Sequence, residues 1–149
     1  MSLSVCVPPM ESSEPAESAA AHPHRRLRLL IADDDRVFAE FLAELCVTAG
    51  HEVVAIESNG GLAVLNKFLT YRPEVVLLDV IMPKFNGFTI AQHLRSRDEG
   101  VRIIMMSGLV QEDYPSAKAC KPDVWLQKPI TYEALCTALD GLKVQNGSK

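Results

Sequence analysis

The chain has 149 residues, enough for one hydrophobic core and a tail. With 48% hydrophobic and 23% charged residues it is neither a disordered nor a collagen-like chain. A net charge of −4 supplies no global basic field for direct nucleic-acid binding, and no apolar run reaches the roughly 18 residues of a membrane span.

Residues 1–24 are rich in Pro, Ser and Glu and have no apolar period, so they read as a disordered tail. No basic stretch followed by an apolar one opens the chain, so no signal peptide is expected and the location is cytoplasmic. His22 and His24 form an HxH pair, too little by itself for a metal site. The cysteines Cys6, Cys46, Cys120 and Cys136 make no CxxC, which removes zinc, haem and thioredoxin-type motifs and fits a reducing compartment. Cys46 and Cys136 fall within apolar helical patterns and read as buried thiols.

Residues 25–145 alternate short apolar runs with helical periods, and 146–149 form a polar end. The run from Leu27 to Ala32 reads as a first strand that stops at Asp33, Asp34 and Asp35. Val37, Phe38, Phe41, Leu42, Leu45 and Cys46 then form the stripe of an amphipathic helix, which Gly50 ends. Val53 to Ile56 is a second strand, and Leu62, Leu65, Phe68 and Leu69 mark the next helix face, closed by Pro73. Val75 to Leu78 is apolar without alternation, as in a central strand covered on both faces, and it runs into Asp79.

A loop with Pro83 and Gly87 leads to a third helix carrying Phe88, Ile90, Ala91 and Leu94. Val101 to Met106 is the fourth strand, ending at Ser107. Pro115 and Pro122 confine the fourth helix to about residues 115–120, because proline fits only the first turn. Val124 to Leu126 is a short fifth strand ending at Lys128-Pro129, and Leu135, Leu139 and Leu142 form the stripe of the last helix.

Five strands alternating with helices predict a single α/β domain with a doubly wound, five-stranded parallel sheet. Ligands of such sheets sit beyond the carboxyl ends of the strands, where Asp33, Asp34, Asp79, Ser107 and Lys128 all fall. Three carboxylates close together need a cation, and an all-oxygen set suits Mg²⁺. A hydroxyl and an ammonium beside them can hold phosphoryl oxygens, and a carboxylate can be the nucleophile that takes the phosphoryl group. The aspartate triplet also suits a helix N-terminus, and Asp35 is left to that role.

From about Leu27 to Lys143 the chain resembles the receiver domain of two-component response regulators. The resemblance rests on LLIADDD (29–35), VVLLDVIMPKFNG (75–87), IIMMSG (103–108) and WLQKPI (125–130), in the family's order. It implies a flavodoxin-like sheet of strand order 2-1-3-4-5. It implies Asp79 as phosphoacceptor, with Asp33, Asp34, Asp79 and the backbone carbonyl of Ile81 holding Mg²⁺, Asp33 through a water. Ser107 corresponds to the hydroxyl that turns toward the phosphoryl group, Lys128 to the cation that pairs with it, and Trp125 to the aromatic that changes rotamer; plain packing is the other reading of Trp125.

The implied partners are a histidine kinase or histidine phosphotransfer protein and an unidentified downstream protein. The expected molecule is a stand-alone regulator, a phosphoacceptor and not an enzyme, with neither nucleic acid nor membrane as direct partner. Ile81 and Leu109, apolar at two positions that tune dephosphorylation in the family, predict a long-lived phosphorylated form. The chain departs from the family in its broken fourth helix and in Cys120-Lys121-Pro122-Asp123, where receivers usually carry a Gly-Ala pair. A scaffold that is never phosphorylated therefore stays as an alternative. An aspartate-nucleophile phosphohydrolase is a weaker one: the Asp33-Asp34-Asp35 spacing suits it, but the size and the Lys-Pro motif do not.

Overall fold

Alternation along each strand explains how one sheet carries two cores. The computed structural model describes residues 25–82 and 85–147; the expected tail with His22, His24 and Cys6, and the loop residue Pro83, lie outside them. The elements run β1 (Arg28–Ala32), α1 (Arg36–Thr48), β2 (Glu52–Glu57), α2 (Gly61–Tyr71), β3 (Val75–Asp79), α3 (Gly87–Arg97), β4 (Arg102–Ser107), α4 (Ala117–Cys120), β5 (Val124–Gln127) and α5 (Tyr132–Gly147). All five strands are parallel, as the alternation of strands and helices predicts, in the order β2-β1-β3-β4-β5 that the resemblance implies. Leu29, Ile31, Val75 and Leu77 pack with α1 and α5 on one face. Leu30, Ala32, Val76 and Leu78 pack with α2, α3 and α4 on the other. Covered on both sides, β3 is buried throughout.

The helix stripes need correcting in two places. Of the α1 stripe, Leu42 and Cys46 are buried, but Val37 is 77% and Phe41 51% exposed, and the small Ala39 takes the inner position. Successive helical residues turn by roughly 100°, so Phe41 cannot share the inner line with Leu42 and Cys46. On α2, Val64 and Phe68 are buried while Leu62 and Leu69 face outward. The stripes of α3 and α5 are buried as expected. His51, which has no partner pattern in the sequence, is buried, and its Nδ1 accepts the Leu27 backbone N–H at 3.1 Å.

The short fourth helix is confirmed: a 3-10 turn at Gln111–Asp113 precedes α4, which has four residues. The departure at 120–123 has a structural use. Asp123 accepts hydrogen bonds from Arg95 (3.0 Å), Arg102 (3.1 Å) and the Ile103 backbone N–H (2.8 Å), tying α3, β4 and the approach to β5 together. None of the described helices is long and apolar enough to cross a membrane.

Candidate functional site

Strand register builds the site. Ala32 pairs with Leu78 and Asp79 with Met106, so Asp33, Asp79 and Ser107 leave the sheet side by side. Ser107 pairs with Gln127, which sets Lys128 at the same edge, and the Lys128 backbone N–H donates to the Ser107 carbonyl at 2.7 Å. The Lys128-Pro129 bond is cis. All five residues expected at this edge are therefore brought there.

Asp33 is fully buried and held from three directions. Its N–H donates to the Glu57 carbonyl at 3.1 Å, Oδ1 accepts the Asp35 N–H at 2.9 Å, and Oδ2 accepts from Lys128 Nζ at 2.8 Å. Asp35 caps α1 by accepting the Phe38 N–H at 3.1 Å, the role left to it above. Lys128 Nζ is also 3.5 Å from Asp79 Oδ1 and 4.6 Å from the centre of the Phe38 ring, a cation–π contact that steadies the ammonium.

One carboxylate oxygen from each of Asp33, Asp34 and Asp79 lies within 4.8 Å of the others, with Asp34 exposed and the other two buried. Burial and the charge of Asp33, against the pull of Lys128, push the Asp79 carboxyl up to about 7. Burial also raises Asp33, although Lys128 opposes it. Burial works to lower Lys128, but its bond to Asp33 and the charge of Asp79 outweigh this and raise it. Two buried acidic groups thus share one ammonium beside a third, exposed one, Asp34, an excess of negative charge. This donor set fits a hard divalent cation such as Mg²⁺.

The turn after β3 packs against that edge. A ribbon of two-residue strands, pairing Ile81 with Asn86 and Met82 with Phe85, stands where a loop is expected. The Val80 N–H donates to the Met106 carbonyl at 2.9 Å and the Gly87 N–H to the Val80 carbonyl at 2.6 Å. Asn86 caps α3 by accepting the Thr89 N–H at 2.8 Å. A Cβ on Gly87 would lie 2.3 Å from the Asp79 carbonyl oxygen and 3.0 Å from Val80 Cα, both backbone atoms with no room to give. Gly87→Ala is expected to destabilise the fold by roughly 2–3 kcal/mol, the range of overpacking in a tight site. Urea unfolding checks it; an unchanged midpoint would show that the turn can move.

Sequence reasoning missed the surroundings of Ser107. Its Oγ is 2.9 Å from the hydroxyl of Tyr114 and accepts the Leu109 N–H at 3.0 Å. The Tyr114 ring meets Phe88 and Trp125 at centroid distances of 5.5 Å each, and Phe88 stacks on Trp125 at 6.2 Å. Trp125 Nε1 donates to the Leu109 carbonyl at 3.1 Å. The only sequence signal at Tyr114 is the poor helix start around it. Ile81 and Leu109 are 66% and 51% exposed.

The family described as "Response regulator receiver domain" matches residues 29–140. Chemotaxis protein CheY of Bacillus subtilis is 35% identical over 85 residues, 57% of this chain and 70% of that protein. Response regulator MprA of Mycobacterium sp. (strain KMS) is 30% identical over 118 residues, 78% of this chain but 50% of the longer relative. The structure of the chemotaxis response regulator CheY4 of Vibrio cholerae superposes with a TM-score of 0.71 at 26% identity, covering 79% of this chain and 99% of that one.

Proposed function

The chain belongs to the response regulator receiver domain family, and from that membership we propose that Asp79 accepts a phosphoryl group in a two-component pathway. Receiver domains are as a family phosphoacceptors of such systems and generally not enzymes in their own right. The observation that carries the assignment is the position of Asp79, buried between Asp33 and Lys128 at the sheet edge where the strand carrying Ser107 also ends.

The donor is a phosphohistidine of a histidine kinase or histidine phosphotransfer protein. An Asp79 carboxylate oxygen attacks phosphorus, the P–O bond forms, the P–N bond breaks, and the imidazole leaves. Asp33, Asp34, Asp79 and the Ile81 carbonyl would hold Mg²⁺, which supplies charge neutralisation for the incoming phosphoryl oxygens. Lys128 pairs with one of those oxygens, and Ser107 turns to bind another. Added charge and strong acceptors at Asp79 then bias the face built from α4, β5 and α5, which a downstream protein reads.

Intact-mass spectrometry after incubation with Mg²⁺ and acetyl phosphate tests the proposal, beside an Asp79→Ala control. One added phosphoryl group is expected in the wild type alone. On removal of the donor the adduct should decay over longer than seconds, because Ile81 and Leu109 are apolar and hinder an attacking water. Absence of the adduct would favour the scaffold reading; loss within seconds would remove the role given to those two side chains.

A further inference from the structure

Ser107 is held in a closed circuit. Its Oγ accepts from Leu109 N–H, the Leu109 carbonyl accepts from Trp125 Nε1, the Trp125 ring packs on Tyr114, and the Tyr114 hydroxyl returns to Ser107 Oγ. Ser107 is buried, and among the described residues those two hydrogen bonds are all that its hydroxyl makes. Either hydroxyl can donate in the Ser107–Tyr114 contact; when Ser107 donates, its single proton is engaged by Tyr114 and must leave it to serve an oxygen on Asp79. The short α4 is what lets Tyr114 in: the 3-10 turn and Pro115 bring the ring down onto Phe88, where a longer helix would carry the chain away.

We propose that Tyr114 is a latch that holds Ser107 in the resting position, competes with a phosphoryl group on Asp79 for it, and passes the exchange to Trp125. The inference rests on the phosphoacceptor reading of Asp79. The Tyr114 hydroxyl meets Ser107 and lies outside the acidic cluster, so it is a positioning residue that acts through Ser107. When Ser107 turns away, Leu109 loses the bond that sets its backbone, Trp125 loses the fixed position of its carbonyl partner, and Tyr114 is released. Tyr114 and Phe88 also line an open groove of about 470 Å³ with Val80, Ile81, Met82 and Asn86. Release of the tyrosine changes a wall of that groove.

Trp125 is the only tryptophan, so its emission reports this circuit alone. The test titrates beryllofluoride, a phosphoryl mimic, at saturating Mg²⁺ into the wild type, Tyr114→Phe, Ser107→Ala and the double variant. Tyr114→Phe keeps the ring and removes the competing hydrogen bond, so it should bind beryllofluoride about fivefold more tightly, the scale of one net hydrogen bond. Its resting emission should lie nearer that of the bound wild type. In the Ser107→Ala background the same change should leave affinity unaltered, which a purely structural tyrosine would not predict.

Equal affinity, or weaker binding by Tyr114→Phe, overturns the latch and leaves the phosphoacceptor reading intact. The same holds if intact mass shows phosphoryl uptake while Trp125 emission does not change. No beryllofluoride response together with no phosphoryl uptake in the wild type overturns both.

Discussion

Asp79→Asn is expected to abolish phosphoryl uptake and, in the absence of Mg²⁺ at pH 8, to stabilise the protein. The carboxyl is nearly buried, beside Asp33 and Asp34, and its folded value of about 7 lies above the ordinary 3.8. The folded state therefore binds more protons than the unfolded chain between those two values, and stability falls as pH rises through that window. Below the window both states are protonated and nothing is lost; above it the penalty is constant. Asp33, raised by burial, works in the same direction. Lys128 is raised from 10.5, so what it contributes is lost only at alkaline pH, outside the window.

With solvent screening allowed for, the penalty at Asp79 is roughly 2–3 kcal/mol, several degrees of melting temperature in a domain of this size. Thermal melts at pH 5 and pH 8, with and without Mg²⁺, check it. The metal-free wild type should melt higher at pH 5, the asparagine variant should show a shallower pH dependence, and Mg²⁺ should recover much of the wild-type loss at pH 8. Equal melting of the two proteins at pH 8 without Mg²⁺ would mean that the acidic cluster carries no such strain.

The acidic cluster was legible in the sequence because it follows from a topological rule: polar residues past the ends of parallel strands must share one edge. The central burial of β3 was legible because an apolar run without alternation has nowhere else to go, whereas the strand order was legible only through the resemblance to receiver domains. What stayed hidden depends on side-chain direction. Val37 and Phe41 look like core residues in any stripe drawn by residue type, yet α1 turns them outward and buries Ala39. His51 and Asp123 form their bonds across 24 and 20 residues of sequence, a distance over which pattern says nothing. Tyr114 is the most consequential case. Two prolines announce a broken helix, but only the folded backbone shows that the break delivers a phenol to Ser107.

Lys128→Ala separates the structural from the chemical work of the ammonium. Its Nζ serves two masters in the resting protein, 2.8 Å from Asp33 and 3.5 Å from Asp79. Loss of the lysine leaves buried Asp33 without its cation, and breaking such a pair costs roughly 3–5 kcal/mol when the orphaned charge stays ionised. That cost should shrink at pH 5 as the carboxyls take up protons, and shrink at pH 8 when Mg²⁺ replaces the missing charge. With saturating Mg²⁺ the variant should therefore be folded, as circular dichroism will show. Its labelling by acetyl phosphate should still be slower by about 10²-fold, because a positioned cation that meets charge developing on a phosphoryl oxygen is worth a few kcal/mol in the transition state. Lys128→Arg keeps the charge but spreads it over a planar fork that cannot reach Asp33 and Asp79 as a single point does, so an intermediate rate is expected. Folded Lys128→Ala that labels within threefold of the wild type would confine Lys128 to pairing with Asp33 and leave the phosphoryl oxygens to the metal and Ser107.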